Sequence, residues 1–134
     1  MNFLIIINPN SGKRKSISVF KNILKPFLEH NSINYKTETT TYSGHAEQII
    51  ESIDLLNFNA ILVLGGDGTM HEVINGLLKR ADGINLPIGN IPTGSGNSLL
   101  YDLGKFDIKD TINIILKNKI RQIDILESPT LNKK

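Results

Sequence analysis

Asp67 stands between two glycines in the run Gly65-Gly66-Asp67-Gly68-Thr69. A carboxylate in a turn flanked by residues without side chains can take a proton or hold a cation, and the bare main chain beside it lets a bulky anion approach. Thr69 and Glu72 have the spacing of a capping box, and Val73, Ile74, Leu77 and Leu78 repeat at helical intervals behind them, which predicts a helix opening at Thr69. Just before the glycines, Ala60, Ile61, Leu62, Val63 and Leu64 form an unbroken apolar run, the pattern of a strand covered on both faces. The turn thus joins the carboxyl end of a buried strand to the amino end of a helix. Unpaired N–H groups and the positive end of the helix dipole favour phosphate there. An ordinary strand-to-helix turn needs one glycine; three around a carboxylate, expected to permit positive φ, add chain entropy without burying area and point to a ligand.

The elements that must position this turn are read in chain order. Residues 3–7 form a first buried strand that empties into Asn8-Pro9-Asn10-Ser11-Gly12, a run of small polar turn formers. Val19, Phe20, Ile23, Leu24, Phe27 and Leu28 make the apolar stripe of a helix that Pro26 should kink or divide. Residues 35–41, rich in β-branched side chains, predict a second strand, followed by Ser43-Gly44-His45 and a helix carrying Ala46, Ile49, Ile50 and Ile53. Residues 87–91 predict a fourth strand that runs into Pro92-Thr93-Gly94-Ser95-Gly96-Asn97. Asp107 or Asp110 caps a helix bearing Ile112, Ile115 and Leu116, and residues 121–126 alternate as a fifth strand. Regular alternation of strand and helix implies an α/β fold: a three-layer open, mostly parallel sheet with helices on both faces. Loops leaving the carboxyl ends of parallel strands emerge on one edge, so those at Asn8, Gly65 and Gly94 should gather around one crevice suited to polyphosphate.

A chain of 134 residues has room for one domain with a real core and not for two of ordinary size. A net charge of +2 is too small to argue for nucleic acid. The basic spots at 13–15, at Lys79 with Arg80, and at Lys133 with Lys134 read as solvated surface or tail. The absence of cysteine excludes disulfides and thiolate chemistry, and the first apolar run is too short for a signal peptide or a membrane span. A cytoplasmic protein is expected.

Two phosphate loops fail on spacing. A Walker A loop requires a glycine five residues before Gly12-Lys13, where Ile7 stands; a dinucleotide fingerprint requires a third glycine after Gly94-Ser95-Gly96, where Leu99 stands. What remains resembles the lipid-kinase family of diacylglycerol kinases, sphingosine kinases and their bacterial relatives, related in fold to NAD kinases and phosphofructokinases. Four segments carry the resemblance: Asn8-Pro9-Asn10-Ser11-Gly12; Thr40 with Gly44-His45-Ala46; Gly65 to Thr69 continued by His71-Glu72-Val73 and Asn75-Gly76-Leu77; and residues 92–97. Their order covers essentially the whole chain as that family's amino-terminal domain. The first loop and the Thr40 segment favour the lipid kinases over NAD kinases, which share the glycine turn. Ser98 departs from the aspartate of many diacylglycerol-type members, whereas Met70-His71-Glu72-Val73 and Gly94-Ser95-Gly96-Asn97 look more like the sphingoid-base branch.

The resemblance implies an ATP site lined by Asn8, Ser11, Gly12, Thr40, Gly65, Gly66, Asp67, Gly68, Thr69, Met70, His71, Glu72, Gly94, Ser95, Gly96 and Asn97. It places Asp67 nearest the chemistry, as the base for an acceptor hydroxyl or as a holder of Mg²⁺, and matches Asp124 to a family aspartate associated with magnesium. His45 and His71 lack a carboxylate or second histidine at metal-ligand spacing and read as structural, and His30 reads as surface. Ser95 has no neighbouring base and reads as a hydrogen-bond donor to phosphate rather than a nucleophile. The implied function is transfer of the γ-phosphoryl group of ATP, with Mg²⁺, to the hydroxyl of a diacylglycerol or sphingoid-type lipid. A non-catalytic nucleotide-binding module and an NAD kinase are the rivals. Residues 1–127 are expected to form the nucleotide-binding domain and 128–134 a linker or tail, with the second, acceptor-binding domain absent from this chain.

Overall fold

In the computed structural model, the described residues are 1–11 and 14–91. Strand β1 (Asn2–Ile7) lies between β2 (Asn34–Thr39) and β3 (Ala60–Leu64), and β4 (Ile88–Asn90) extends the sheet beyond β3. All the pairings are parallel, with Ile5 opposite both Thr37 and Leu62. β3 is buried from end to end and β1 from Phe3 onward, the reason these stretches are unbroken apolar runs rather than alternating ones. β2 borders the described sheet, is largely exposed, and carries the pair Lys36–Glu38, charges that discourage pairing with another chain. The predicted fifth strand at 121–126, the helix bearing Ile112, the loop at 92–97 and the tail lie outside the described residues.

The β1 to β2 connection runs through α1 (Ser16–Val19), a wider π-helical turn (Phe20–Leu24) and α2 (Lys25–His30). Pro26 explains the division. It sits in the first turn of α2, where its missing N–H is tolerated, and the widened turn before it makes room for the ring. Arg14 and Lys15 are exposed at the start of this helix, as expected of solvated cations.

Helix α3 (His45–Ser52) joins β2 to β3, and α4 (Asp67–Lys79) joins β3 to β4. The chain moves one way across the sheet from β1 to β2 and the opposite way from β2 to β3 and β4. Right-handed crossovers therefore put α1 and α2 on one face and the α3–α4 pair on the other. Gly76 sets how closely that pair packs: a Cβ there would stand 2.8 Å from both the Glu47 carbonyl oxygen and the Ile50 Cβ. The fully buried residues on either side of this layer, among them Leu4, Ile6, Ile50, Leu62 and Leu64, form one core.

Arg80 corrects the expectation of a solvated basic spot. Its side chain is 6% exposed, with Nη1 donating to the carbonyls of Ile50 at 2.7 Å and Ile53 at 2.6 Å, while Nη2 meets the Asp82 carboxylate at 2.6 Å. It closes the carboxyl end of α3, where helix carbonyls lack internal partners. Its neighbour Lys79 is exposed but ion-paired with Glu47 of α3.

Candidate active site

The strand order reverses between β1 and β3, and the loops leaving their carboxyl ends meet there. The Asn8 N–H donates to the Leu64 carbonyl at 2.9 Å, which carries the pairing one step past the last residue of β1. Asn8 then turns the chain, its carboxamide oxygen accepting from the Asn10 N–H at 3.0 Å and its carbonyl from the Ser11 N–H at 3.1 Å. Two bonds stitch this loop to the glycine turn. Asn8 Nδ2 donates to Thr69 Oγ1 at 2.9 Å, and the Gly66 N–H donates to Ser11 Oγ at 3.2 Å. A third wall comes from the end of β2, where the Thr40 N–H remains on the Ile7 carbonyl at 2.9 Å after the strand has ended.

These walls enclose a cleft of about 310 Å³. Of the residues singled out in the sequence, Asn8, Ser11, Thr40, Gly66, Gly68, Thr69 and Glu72 line it. Gly65 lies buried beneath it, Asp67 is exposed between two lining glycines, Met70 packs against the core and His71 is exposed. Gly12, Gly94, Ser95, Gly96, Asn97 and Asp124 lie outside the described residues. Sequence reasoning missed Asn10, Thr41, Tyr42 and Ser43 as lining residues. Three of them fill the interval between Thr40 and Gly44, which was the available signal. The Tyr42 ring, 51% exposed, stacks on the His45 imidazole at 4.3 Å and 12°, and its hydroxyl bonds to Gln48 Oε1. His45 Nδ1 accepts the Thr41 N–H at 2.9 Å, so this imidazole orders the loop, in keeping with a structural role.

The three glycines differ in what they do. None takes positive φ, contrary to expectation, and Gly66 is extended at φ −92° and ψ −165°. A Cβ on Gly65 would lie 2.6 Å from Thr69 Oγ1, so that position is a packing requirement. On Gly66 or Gly68 a Cβ would meet nothing within 4 Å, which makes these two the places where the main chain stands bare.

The capping box is also corrected. Helix α4 begins at Asp67 with Gly66 as N-cap, which puts Thr69 inside the first turn, where it cannot cap. Thr69 is 5% exposed, and its hydroxyl is engaged by Asn8. Glu72 reaches away from its own helix, accepting the Gly44 N–H at 3.0 Å on Oε2 and the Ala46 N–H at 3.1 Å on Oε1. No side chain caps α4, so the N–H groups of Asp67, Gly68 and Thr69 have no carbonyl of their own helix to bond at the edge of the cleft.

Parallel strands, a topological switch point and bare N–H groups at a helix start together define an α/β domain of the kind that holds anionic ligands at the carboxyl edge of its sheet. The chain belongs to the diacylglycerol kinase catalytic domain family, whose model matches residues 2–128. It is 40% identical to sphingosine kinase 1 of Caenorhabditis elegans over 135 residues, covering 96% of this chain and 28% of that protein. It is 39% identical to mouse (Mus musculus) sphingosine kinase 1 over 106 residues, covering 77% of this chain and 28% of that protein. A diacylglycerol kinase from Bacillus anthracis str. Sterne superposes with a TM-score of 0.65 at 26% identity, over 87% of this chain and 42% of that one. The chain thus spans less than a third of the sphingosine kinases it matches.

Proposed function

We propose that this chain is the nucleotide-binding part of an ATP-dependent lipid kinase, which moves the γ-phosphoryl group of ATP to a hydroxyl of a diacylglycerol or sphingoid-type lipid at a membrane surface. The observation that carries the reading is the amino end of α4, where uncapped N–H groups border a cleft between two strands whose order reverses. Ser11, Thr40 and the main chain at Gly66 and Gly68 supply small polar contacts suited to phosphate oxygens. Asp67 follows as the exposed carboxylate at the first position of α4, placed either to accept the proton of the acceptor hydroxyl or to hold Mg²⁺.

The residues present fit magnesium in the manner of phosphoryl-transfer sites, where one or two carboxylates share the ion with substrate phosphates. Among the described residues no group of three or more acidic or histidine side chains could hold a metal by itself, and Glu72 is engaged by backbone N–H groups, which leaves Asp67 as the candidate ligand at the described cleft, with Asp124 outside the described residues. When bound, the ion would neutralise charge on the phosphate oxygens. The protein's own part is to orient the phosphates against α4 and to hold the Asp67 carboxylate beside them.

Radiolabel transfer from ATP to diacylglycerol, sphingosine and ceramide tests the reading, comparing this chain with one extended beyond Lys134 to the length of its relatives. The extended chain should phosphorylate one of the lipids. The 134-residue chain should bind ATP weakly and transfer nothing, because aligning an acceptor hydroxyl is worth about 7 to 11 kcal/mol of barrier and the cleft offers small polar contacts rather than an acceptor pocket. Robust transfer by the short chain would require an acceptor site within these residues. Formation of NADP from NAD, or nucleotide binding with no transfer by the extended chain, would favour the rival readings.

A further inference from the structure

Two helices, α3 and α4, begin at the same edge of the sheet, and both starts border the cleft. Their N–H groups are treated oppositely. At α3 the N-cap and the first two helical donors are filled: Gly44 and Ala46 by the Glu72 carboxylate, and His45 by the Tyr42 carbonyl at 3.1 Å. At α4 the first turn is uncapped. The N-cap of α3 is Gly44, held at φ +92°, and it makes no side-chain bond of its own. A carboxylate from the second turn of α4 takes the place of that missing cap.

We propose that Glu72 is a positioning residue for the nucleotide. Its two hydrogen bonds tie the wall at 40–43 to the helix that carries the glycine turn, and its charge closes the α3 amino end to anions, so that phosphate is directed to α4. The inference rests on the nucleotide reading and changes the role of Glu72 from a ligand contact to a brace. Each Glu72 oxygen faces one N–H, so charge-assisted bonds fix the carboxylate on both sides. A carboxylate on the cleft wall would repel polyphosphate if it stood free; bonded across a helix start, its charge is offset by the positive end of the α3 dipole. Neighbouring cations do not replace it: Lys79 pairs with Glu47, and Arg80 serves the far end of α3. Ser43 adjoins Gly44 in the cleft wall, so loosening Gly44 would free that part of the wall, while Thr40 stays on the Ile7 carbonyl.

Amide-resolved NMR on the 134-residue chain, with hydrogen exchange and titrations of inorganic tripolyphosphate and of ATP with Mg²⁺, reads both parts of the proposal. In the native protein the Gly44 and Ala46 amides should be protected and silent to tripolyphosphate, while those of Asp67, Gly68 and Thr69 respond. In Glu72→Ala the Gly44 and Ala46 amides should exchange rapidly and begin to respond to tripolyphosphate, a gain that a merely structural residue would not produce, and ATP affinity should fall about tenfold. Glu72→Gln keeps one acceptor and should lose about threefold. The amides at 49–52 should stay protected in both variants, because Arg80 holds that end of α3. Native ATP affinity in Glu72→Ala would overturn the inference alone, as would a loss accompanied by exchange throughout α3 in both variants. Failure of ATP to move the amides of Asp67, Gly68 and Thr69 in the native chain would overturn the nucleotide reading and this inference with it, even with Gly44 and Ala46 protected.

Discussion

The two ends of the α3–α4 pair handle hydrogen bonds in opposite ways. At the end away from the cleft, Arg80 fills the last carbonyls of α3, Asp82 holds Arg80, and the Asp82 carboxylate also accepts the Ile84 N–H at 3.0 Å. At the cleft end Glu72 closes α3, but α4 itself begins without a cap. One end is finished by its own side chains; the other keeps donors in reserve. Open donors at a helix start suit an anionic ligand, and here they coincide with the strand-order reversal.

Mutations at the two ends should separate accordingly. The largest effect is expected at the open end: Asp67→Asn, in a chain extended beyond Lys134 to the length of its relatives, should lower turnover at least ~10²-fold, with melting unchanged because the swap is nearly isosteric and the side chain is exposed. Lipid phosphorylation at the native rate would remove Asp67 from the chemistry. Next come losses of stability, first at the packing glycines and, of similar size, at Arg80. Gly65→Ala drives a methyl into Thr69 and Gly76→Ala drives one into Ile50 and the Glu47 backbone, so thermal or denaturant unfolding should show losses of about 1 to 3 kcal/mol. Stability at the native level would mean that α4 shifts freely, and the division of labour among the glycines would fail.

The closed end should lose stability alone, and its smallest signal is the pH dependence at Asp82. Arg80→Met should cost about 1 to 3 kcal/mol by leaving α3 carbonyls unpaired, without altering ATP affinity. The Arg80 guanidinium, and after it the Ile84 N–H, hold the Asp82 carboxyl below its ordinary value of 3.8. A lowered carboxyl stabilises the fold above that ordinary value, and the contribution is lost as pH falls through the lower folded value. Melting followed down through this range should show a slightly steeper acid decline for the native chain than for Asp82→Asn. Identical acid profiles would mean that the pair does not lock the end of α3.

Much of this was legible before any coordinates. Unbroken apolar runs marked β1 and β3 because both strands are covered on two faces, and Pro26 marked the division of the first helix because its ring and missing N–H disturb the ladder. The loops at Asn8 and Gly65 were expected to meet, and two side-chain bonds stitch them together. What spacing could not carry was the identity of tertiary partners. Thr69 and Glu72 stand three apart as in a capping box, yet a helix that starts two residues earlier hands Thr69 to Asn8 and Glu72 to α3. Gly65 and Gly66 look alike in sequence; only the position of Thr69 makes one a packing residue and the other bare main chain. Arg80 read as surface because its acceptors, the carbonyls of Ile50 and Ile53, lie far from it in the chain.

The central claim is that the bare main chain at the start of α4 receives the phosphates of a nucleotide, and Gly66→Val tests it most directly. Gly66 is extended, a conformation valine adopts without strain, and a Cβ there would meet no protein atom within 4 Å, so melting should match the native chain. The branched side chain would occupy the space that phosphate needs, and calorimetry with ATP and Mg²⁺ should show affinity at least about tenfold weaker. Unchanged affinity in a folded Gly66→Val protein would contradict the account, because the nucleotide would then be bound somewhere other than this turn.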